Sequence, residues 1–356
     1  MFFDRFREAA ARLPDGLLRP APPASAEAVA AAEARLGRAL PTEYAAFLRS
    51  FDGADLFHEA IVIAGVGPSA PRALLALNDE GAREIVFAEA VAGDRFALDE
   101  RGRVLRLRVD SDERILAGSS FERWLDATIA RERVLYGPDG EFAPDVFDED
   151  GEEVAAAVVL KQTERALKVD AGSAEAQHER GIALRRLGRL ERALEAFAAA
   201  SALDPDDPWP WFDFGRTAIT AGRELPRARE AFERAAAREA GPSGARLFAW
   251  AARAAALEGD EAAAAEARRE ALARDPALLD ALARAEAQAV HDGDDDARAE
   301  NEALRLALAP ASAPRRSLRV VTAEETRRPP PDRPPRPDRA ARPRGGASPK
   351  AGRRRR

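Results

Sequence analysis

The chain has 356 residues and carries 55 Lys and Arg against 62 Asp and Glu, a formal charge of −7. That charge is unevenly spread: residues 311–356 hold 15 basic and 4 acidic residues, net +11, which leaves 40 basic against 58 acidic, net −18, on residues 1–310. With no cysteine, disulfide frameworks, thiolate metal sites, iron–sulfur clusters and cysteine nucleophiles are excluded. The three histidines (His58, His178 and His291) are too scattered to predict a metal centre.

No stretch of about 18 uncharged apolar residues predicts a membrane span. The N-terminal Asp4, Arg5, Arg7 and Glu8 fall where a signal peptide needs apolar residues, so a cytoplasmic protein is expected. Only three basic residues are lysine (Lys161, Lys168 and Lys350). That bias makes abundant arginine weak evidence for arginine-specific chemistry.

The length predicts two domains and a tail. Residues 26–37 carry apolar positions at Ala28, Val29, Ala32 and Leu36, a helical period stopped at Gly37. Pro41-Thr42-Glu43 opens a second helix through Tyr44, Phe47 and Leu48, closed by Asp52-Gly53. The runs Ala60–Ala64 and Glu84–Ala88 predict strands. Asp94–Leu98 and Arg103–Val109 predict a hairpin, with Leu105, Leu107 and Val109 alternating with Arg106 and Arg108. Ser119-Ser120 then caps a helix whose apolar side carries Phe121, Trp124, Leu125 and Ile129. Helices, a strand meander and a closing helix predict an α+β domain, with helices packed on a mainly antiparallel sheet.

These residues resemble the SUKH superfamily, Smi/Knr-like branch, over roughly residues 20–133. The likeness rests on the acidic helix running into Leu40-Pro41, the aromatic helix through Tyr44 and Phe47, and the following Asp52-Gly53. Gly93–Asp99 resembles the family's hairpin arm, and Ala117–Leu125 its terminal Ser-Phe-x-x-aromatic-Leu helix. The resemblance implies a binding role without chemistry, as in bacterial immunity proteins that neutralise toxins and in eukaryotic regulators that act as scaffolds.

Residues 136–151 read as an acidic linker. A calcium loop centred on Gly151 fails, since Val146 and Ala157 would fill its first and last ligand positions. From 152 to 310 the chain repeats with the tetratricopeptide period: Gly188 to Gly222 and Gly259 to Gly293 are each 34 residues apart. The interval from Gly222 to Gly259 is 37, which predicts a small insertion near Glu224–Pro226 and a longer inter-repeat loop. The copy Ala174–Asp207 resembles the tetratricopeptide consensus, with Gly181, Leu184, Ala193, Phe197, Ala200 and Pro205 in register. Small residues there let two antiparallel helices approach closely. The third copy is degraded at Arg268, and the fourth has Arg298 and Glu302 where Ala and an aromatic belong. An all-α solenoid is therefore expected, made of a half repeat, two good repeats and one or two capping ones.

Such arrays bind peptides on the concave face. The lining positions that the resemblance carries over include His178, Arg185 and Arg186 from the first repeat, and Trp209, Phe212 and Arg216 from the second. Arg246 and Arg253 come from the third. Aromatics among arginines suit an acidic or aromatic-bearing segment, through carboxylate pairing and cation–π stacking; a solvated arginine-rich surface is the plain alternative. Trp211 is expected in the core and Trp209 at the surface. His58 reads as a surface residue, and Gly65-Val66-Gly67 as a turn rather than a phosphate loop. No catalytic constellation, cofactor motif or metal set is found.

The tail 311–356, rich in Pro and Arg, is too poor in apolar residues to fold and is expected to be disordered. Its Arg328–Pro334 stretch reads R-x-x-P-x-x-P, and its charge would suit nucleic-acid phosphates. The expectation is a monomeric, non-enzymatic adaptor or regulator with a SUKH domain over 1–135 and a tetratricopeptide domain over 152–310. It would recognise a protein or peptide partner. Toxin neutralisation is the first alternative and tail-mediated nucleic-acid association the second.

Overall fold

The computed structural model describes residues 3–14, 16–147 and 154–309. The acidic run 148–153 and the basic tail, with its proline pattern, lie outside the described residues. The expected α+β domain followed by a helical array is present.

The first domain opens with helix α1 (Asp4–Arg12) and strand β1 (Leu18–Pro20), neither of which the sequence pattern announced. Helix α2 (Ala26–Leu36) follows, its start fixed by the Ser25 hydroxyl accepting from the Ala28 amide at 3.1 Å. After α3 (Thr42–Leu48) come β2 (Ala54–Leu56), β3 (Ile61–Ile63), β4 (Ile85–Ala90), β5 (Arg95–Leu98), β6 (Val104–Leu107) and β7 (Arg114–Gly118). Helix α4 (Phe121–Glu132) ends the set, capped by Ser120 as its sequence predicts. All seven strands form one antiparallel sheet in chain order. From β4 to β7 each strand meets the next through a short turn, so register there follows locally from the apolar alternation, whereas α2 and α3 separate β1 from β2.

Helix and sheet meet through aromatic rings. Tyr44 of α3 and Phe121 and Trp124 of α4 pack against Phe87 of β4 and Phe96 of β5, and Phe47 of α3 packs on Phe121, with ring centroids 4.9 Å (Phe87–Trp124) to 5.7 Å (Tyr44–Phe87) apart. Mostly edge-on or tilted contacts at this spacing favour the ring quadrupoles. The buried Tyr44 hydroxyl donates to the Ala64 carbonyl at 2.8 Å, so no polar atom is stranded there.

The Asp52-Gly53 signature has a structural cause. Asp52 is 2 % exposed, and its two carboxylate oxygens accept from the amides of Val66 (2.7 Å) and Gly67 (2.8 Å). A Cβ on Gly65 would lie 2.3 Å from the Asp52 carbonyl oxygen and one on Gly67 2.5 Å from its carboxylate, so both glycines of the turn must lack side chains. Its amides are already taken, and a phosphate has nothing left to bind. Asp52→Ala strands two donors and should cost about 3 kcal/mol in a denaturant titration; a loss below about 1 kcal/mol would contradict this role.

The second part contains nine helices among the described residues: α5 (Ala156–Val169), then the pairs α6 (Ala174–Arg186) and α7 (Leu190–Leu203), α8 (Pro208–Ala221) and α9 (Leu225–Arg238), α10 (Gly241–Glu258) and α11 (Glu261–Arg274), and α12 (Leu278–Asp292) and α13 (Asp295–Leu308). The glycines that reveal the period close the first helix of each pair in left-handed conformation, at φ 71° (Gly188), 62° (Gly222), 88° (Gly259) and 73° (Gly293). Gly181 and Gly215 serve differently, since a Cβ at either would lie 2.4 or 2.5 Å from the Phe197 or Phe232 ring.

Two expectations about the repeats are corrected. The residues of the 37-residue interval do not lengthen the inter-repeat loop. One adds Glu224, at φ 52°, and the rest extend α10 to 18 residues against 14 in α8. The last pair also does not continue the stack: α13, not α12, lies along α10, and α11 has little contact with α12. Arg298 and Glu302 explain this, because an array without small and aromatic residues at those positions cannot close in the regular way.

Candidate protein-binding groove

The residues expected to line the concave face are brought together, but mostly as pairs with acidic residues of the same chain. Asp213 of α8 holds two of them: His178 Nε2 at 2.8 Å and Arg185 Nη1 at 2.5 Å, both from α6. Although burial raises its pKa, the His178 hydrogen bond and the Arg185 charge hold the Asp213 carboxyl below the ordinary carboxylate value. On α13, Glu300 accepts from Arg216 at 2.9 Å and Arg246 at 3.0 Å, and Arg246 also reaches Asn301 at 2.9 Å. Asp213, Glu300 and Asn301 were not among the predicted site residues. The hairpin that carries Glu300 and Asn301 departs from the repeat pattern, so no consensus position points to them.

Arg253 differs. It makes no ion pair among the described residues and lies over the Trp250 ring, 5.2 Å from the centroid. Burial pushes its guanidinium pKa down, and Arg216 pushes the same way against the pull of Glu300. Phe212 packs edge-on to Trp250 at 6.0 Å, and Arg216 lies 5.5 Å from both rings. Arg216 and Arg253 thus cap a pair of packed rings.

Trp209 is 38 % exposed, as expected, but its indole nitrogen donates to Glu113 of the first domain at 2.5 Å. It forms part of the seam between the two domains. Trp211 is only half-buried, lying under Arg234 at 4.7 Å. Arg186 is exposed at the end of α6. His58 is exposed in a left-handed run with Phe57 and Glu59, at φ 58°, and joins no cluster of reactive groups. Among the described residues, no three His, Asp or Glu side chains group to hold a metal ion, and no helix is long and apolar enough to cross a membrane.

The seam is polar. Arg106 of β6 bridges Asp94 and Glu175, each at 2.6 Å, and Arg131 of α4 forks onto Glu179 of α6 at 2.6 and 3.1 Å. The Ser119 amide and hydroxyl both donate to Asp170 at 2.7 Å. These contacts fix the helical array relative to the sheet.

Asp207, which caps α8 by accepting from the Trp209 amide at 2.9 Å, sits near this seam. Burial is the largest of the effects that raise its pKa to about 6, with Asp204 and Glu113 adding to it. Its folded pKa lies above the unfolded one, so the stability it contributes is present below about pH 4 and lost as pH rises through about 6. Asp207→Asn keeps a cap but cannot ionise. The variant should gain on the wild type by about 2–3 kcal/mol between pH 4 and 7 in parallel urea titrations; a pH-independent difference would disprove the assignment.

Architecture and surface define a binding class of protein: an α+β domain joined through a fixed polar seam to a helical-repeat array. Residues 23–127 match the SMI1/KNR4 family (SUKH-1), and residues 174–217 match the tetratricopeptide repeat. The chain therefore carries a SUKH-1 domain followed by tetratricopeptide repeats. Among solved structures it is similar to MamA, at 18 % identity, covering 43 % of this chain and 86 % of that one with a TM-score of 0.32. MamA from Desulfovibrio magneticus RS-1 is 20 % identical over 43 % of this chain and 85 % of that one, TM-score 0.32. YrrB, described as a TPR protein with an unusual peptide-binding site, is 16 % identical over 44 % and 79 %, TM-score 0.31. No curated protein matches.

Proposed function

We propose that the protein is a non-enzymatic adaptor or regulator whose concave groove takes an acidic segment of a protein partner. The observation that carries this reading is Arg253: a half-buried guanidinium over Trp250, with no carboxylate paired to it among the described residues. A ligand carboxylate there would gain a charge-assisted hydrogen bond in a partly desolvated site. Glu300 lies within reach of the same cluster and shows which chemistry Arg216 and Arg246 accept. Among known SUKH proteins the immunity role remains the alternative, in which the first domain and not the groove meets a toxin.

The test uses the full chain and an array of acidic peptides with and without an aromatic residue. Arg253→Gln should weaken binding about tenfold, a loss of about 1.4 kcal/mol. Glu300→Ala, which frees Arg216 and Arg246, should strengthen it. Binding unchanged in both variants excludes the groove. A toxin encoded beside this gene that binds the Arg253→Gln variant as tightly as wild type would favour the immunity role.

A further inference from the structure

We propose a second binding site, independent of the groove, in the trough between α1, α4 and α5, for an acidic and partly apolar peptide segment of another protein. The trough encloses about 710 Å³ at the junction where the SUKH-1 domain meets the first helix of the array. That size falls in the range of ligand pockets.

Its walls are basic in a body of net charge −18. On α1, Arg5 and Arg12 are seven residues apart and line the same side; on α5, Lys161 and Arg165 are four apart and line the other. Arg133 closes one end and is held by the Tyr136 carbonyl at 2.5 Å. Among the described residues Glu8 is the one acidic residue lining the trough, and its 3.8 Å pair with Arg12 joins two exposed side chains. Lys161 and Arg165 are exposed and make no ion pair among the described residues. Two of the chain's three lysines lie on α5, both on its outward face. On the α1 wall Arg5 is paired with Asp126 at 3.3 Å and Arg12 with Glu8, so among the described residues the unmatched wall cations are Lys161 and Arg165 on α5.

The floor decides the ligand. Leu13, Ile129, Ala130 and Val134 put apolar surface between the two cationic walls. A segment with carboxylates on its flanks and an apolar side chain between them matches this cross-section. A lipid surface would need the cations on a convex face, not recessed on facing walls. Nucleic acid would be expected to meet exposed stacking rings along the path of the charges, and among the described residues the trough offers only the buried Tyr136. A ligand seated here touches both modules at once.

The experiment uses the full chain and a short labelled peptide in which Glu alternates with Leu, read by anisotropy. Lys161→Glu with Arg165→Glu should weaken binding at least about tenfold, and the Lys-for-Glu version of the peptide should bind this double variant better than wild type. Both residues are solvent-facing, so circular dichroism should be unchanged. In the Arg253→Gln background, where the groove is weakened, Lys161→Glu with Arg165→Glu should cause the same fold loss, which separates the site from the groove. The proposal is overturned if the double variant keeps affinity within about twofold. It also fails if the double variant causes no loss in the Arg253→Gln background, or if phosphatidylserine vesicles bind through Lys161 and Arg165 while the peptide does not.

Discussion

Replacing Gly215 by valine is expected to destabilise the array by about 3 kcal/mol or more, the cost of forcing a larger side chain into a filled site. A Cβ at this position would lie 2.5 Å from the Phe232 ring, closer than carbon atoms can approach. Phe232 cannot retreat, because it is fully buried and stacked on Trp250, with centroids 5.5 Å apart and planes 20° apart. A mid-helix glycine normally costs about 1 kcal/mol relative to alanine. Here close packing of α8 on α9 outweighs that cost. The measurement is a urea titration of the full chain, with Gly215→Val,Phe232→Leu as companion: trimming the ring should recover part of the loss. If the single variant unfolds at the wild-type midpoint, the packing argument is wrong. The damage should also spread to the groove, since Trp250 and Arg253 rest on the same rings.

Replacing Arg131 by alanine should cost about 3 kcal/mol, because it leaves a carboxylate group without its cation at the domain seam. Burial lowers the Arg131 pKa, but Glu179, Glu175 and Glu132 outweigh it and keep the guanidinium charged. Glu132 already has a raised pKa, through burial first and Glu179 second, with Arg131 opposing. Without Arg131 the rise at Glu132 loses the cation that opposes it. Protonation of Glu132 then stabilises at low pH, and that stability is lost as pH rises, so the penalty should grow between about pH 4 and 7. The double variant Arg131→Ala,Glu179→Gln should recover part of it. Calorimetry should show one transition in the wild type and two in Arg131→Ala, as the SUKH-1 domain and the array lose their common seam. A single transition with unchanged midpoint would show that the seam does not couple them.

The sheet's middle and last helix were legible because their signals are local. Phe121 and Trp124 follow a Ser cap, and Leu105 and Leu107 alternate with arginines. Helix α1 and strands β1, β2 and β7 were not, for a shared reason. The three strands have three to five residues each, and their pairing partners rather than their own composition make them strands. The groove was half legible. Repeat spacing placed His178, Arg185, Arg216, Arg246 and Arg253 on one surface, but Asp213 and Glu300 neutralise most of them. Glu300 is 84 residues from Arg216, and that distance in sequence hides the pair.

By itself, then, the sequence determined the kind of molecule: a SUKH-like module, a 34-residue helical repeat and an uneven charge, all carried by local motifs, repeat spacing and composition. The tertiary structure alone decided which charges are available. It turned the last helix pair onto α10, matched four expected ligands to Asp213 and Glu300, and left Arg253, Lys161 and Arg165 without acidic partners among the described residues. Charge pairing depends on what long-range packing brings within about 4 Å, and no local pattern records that.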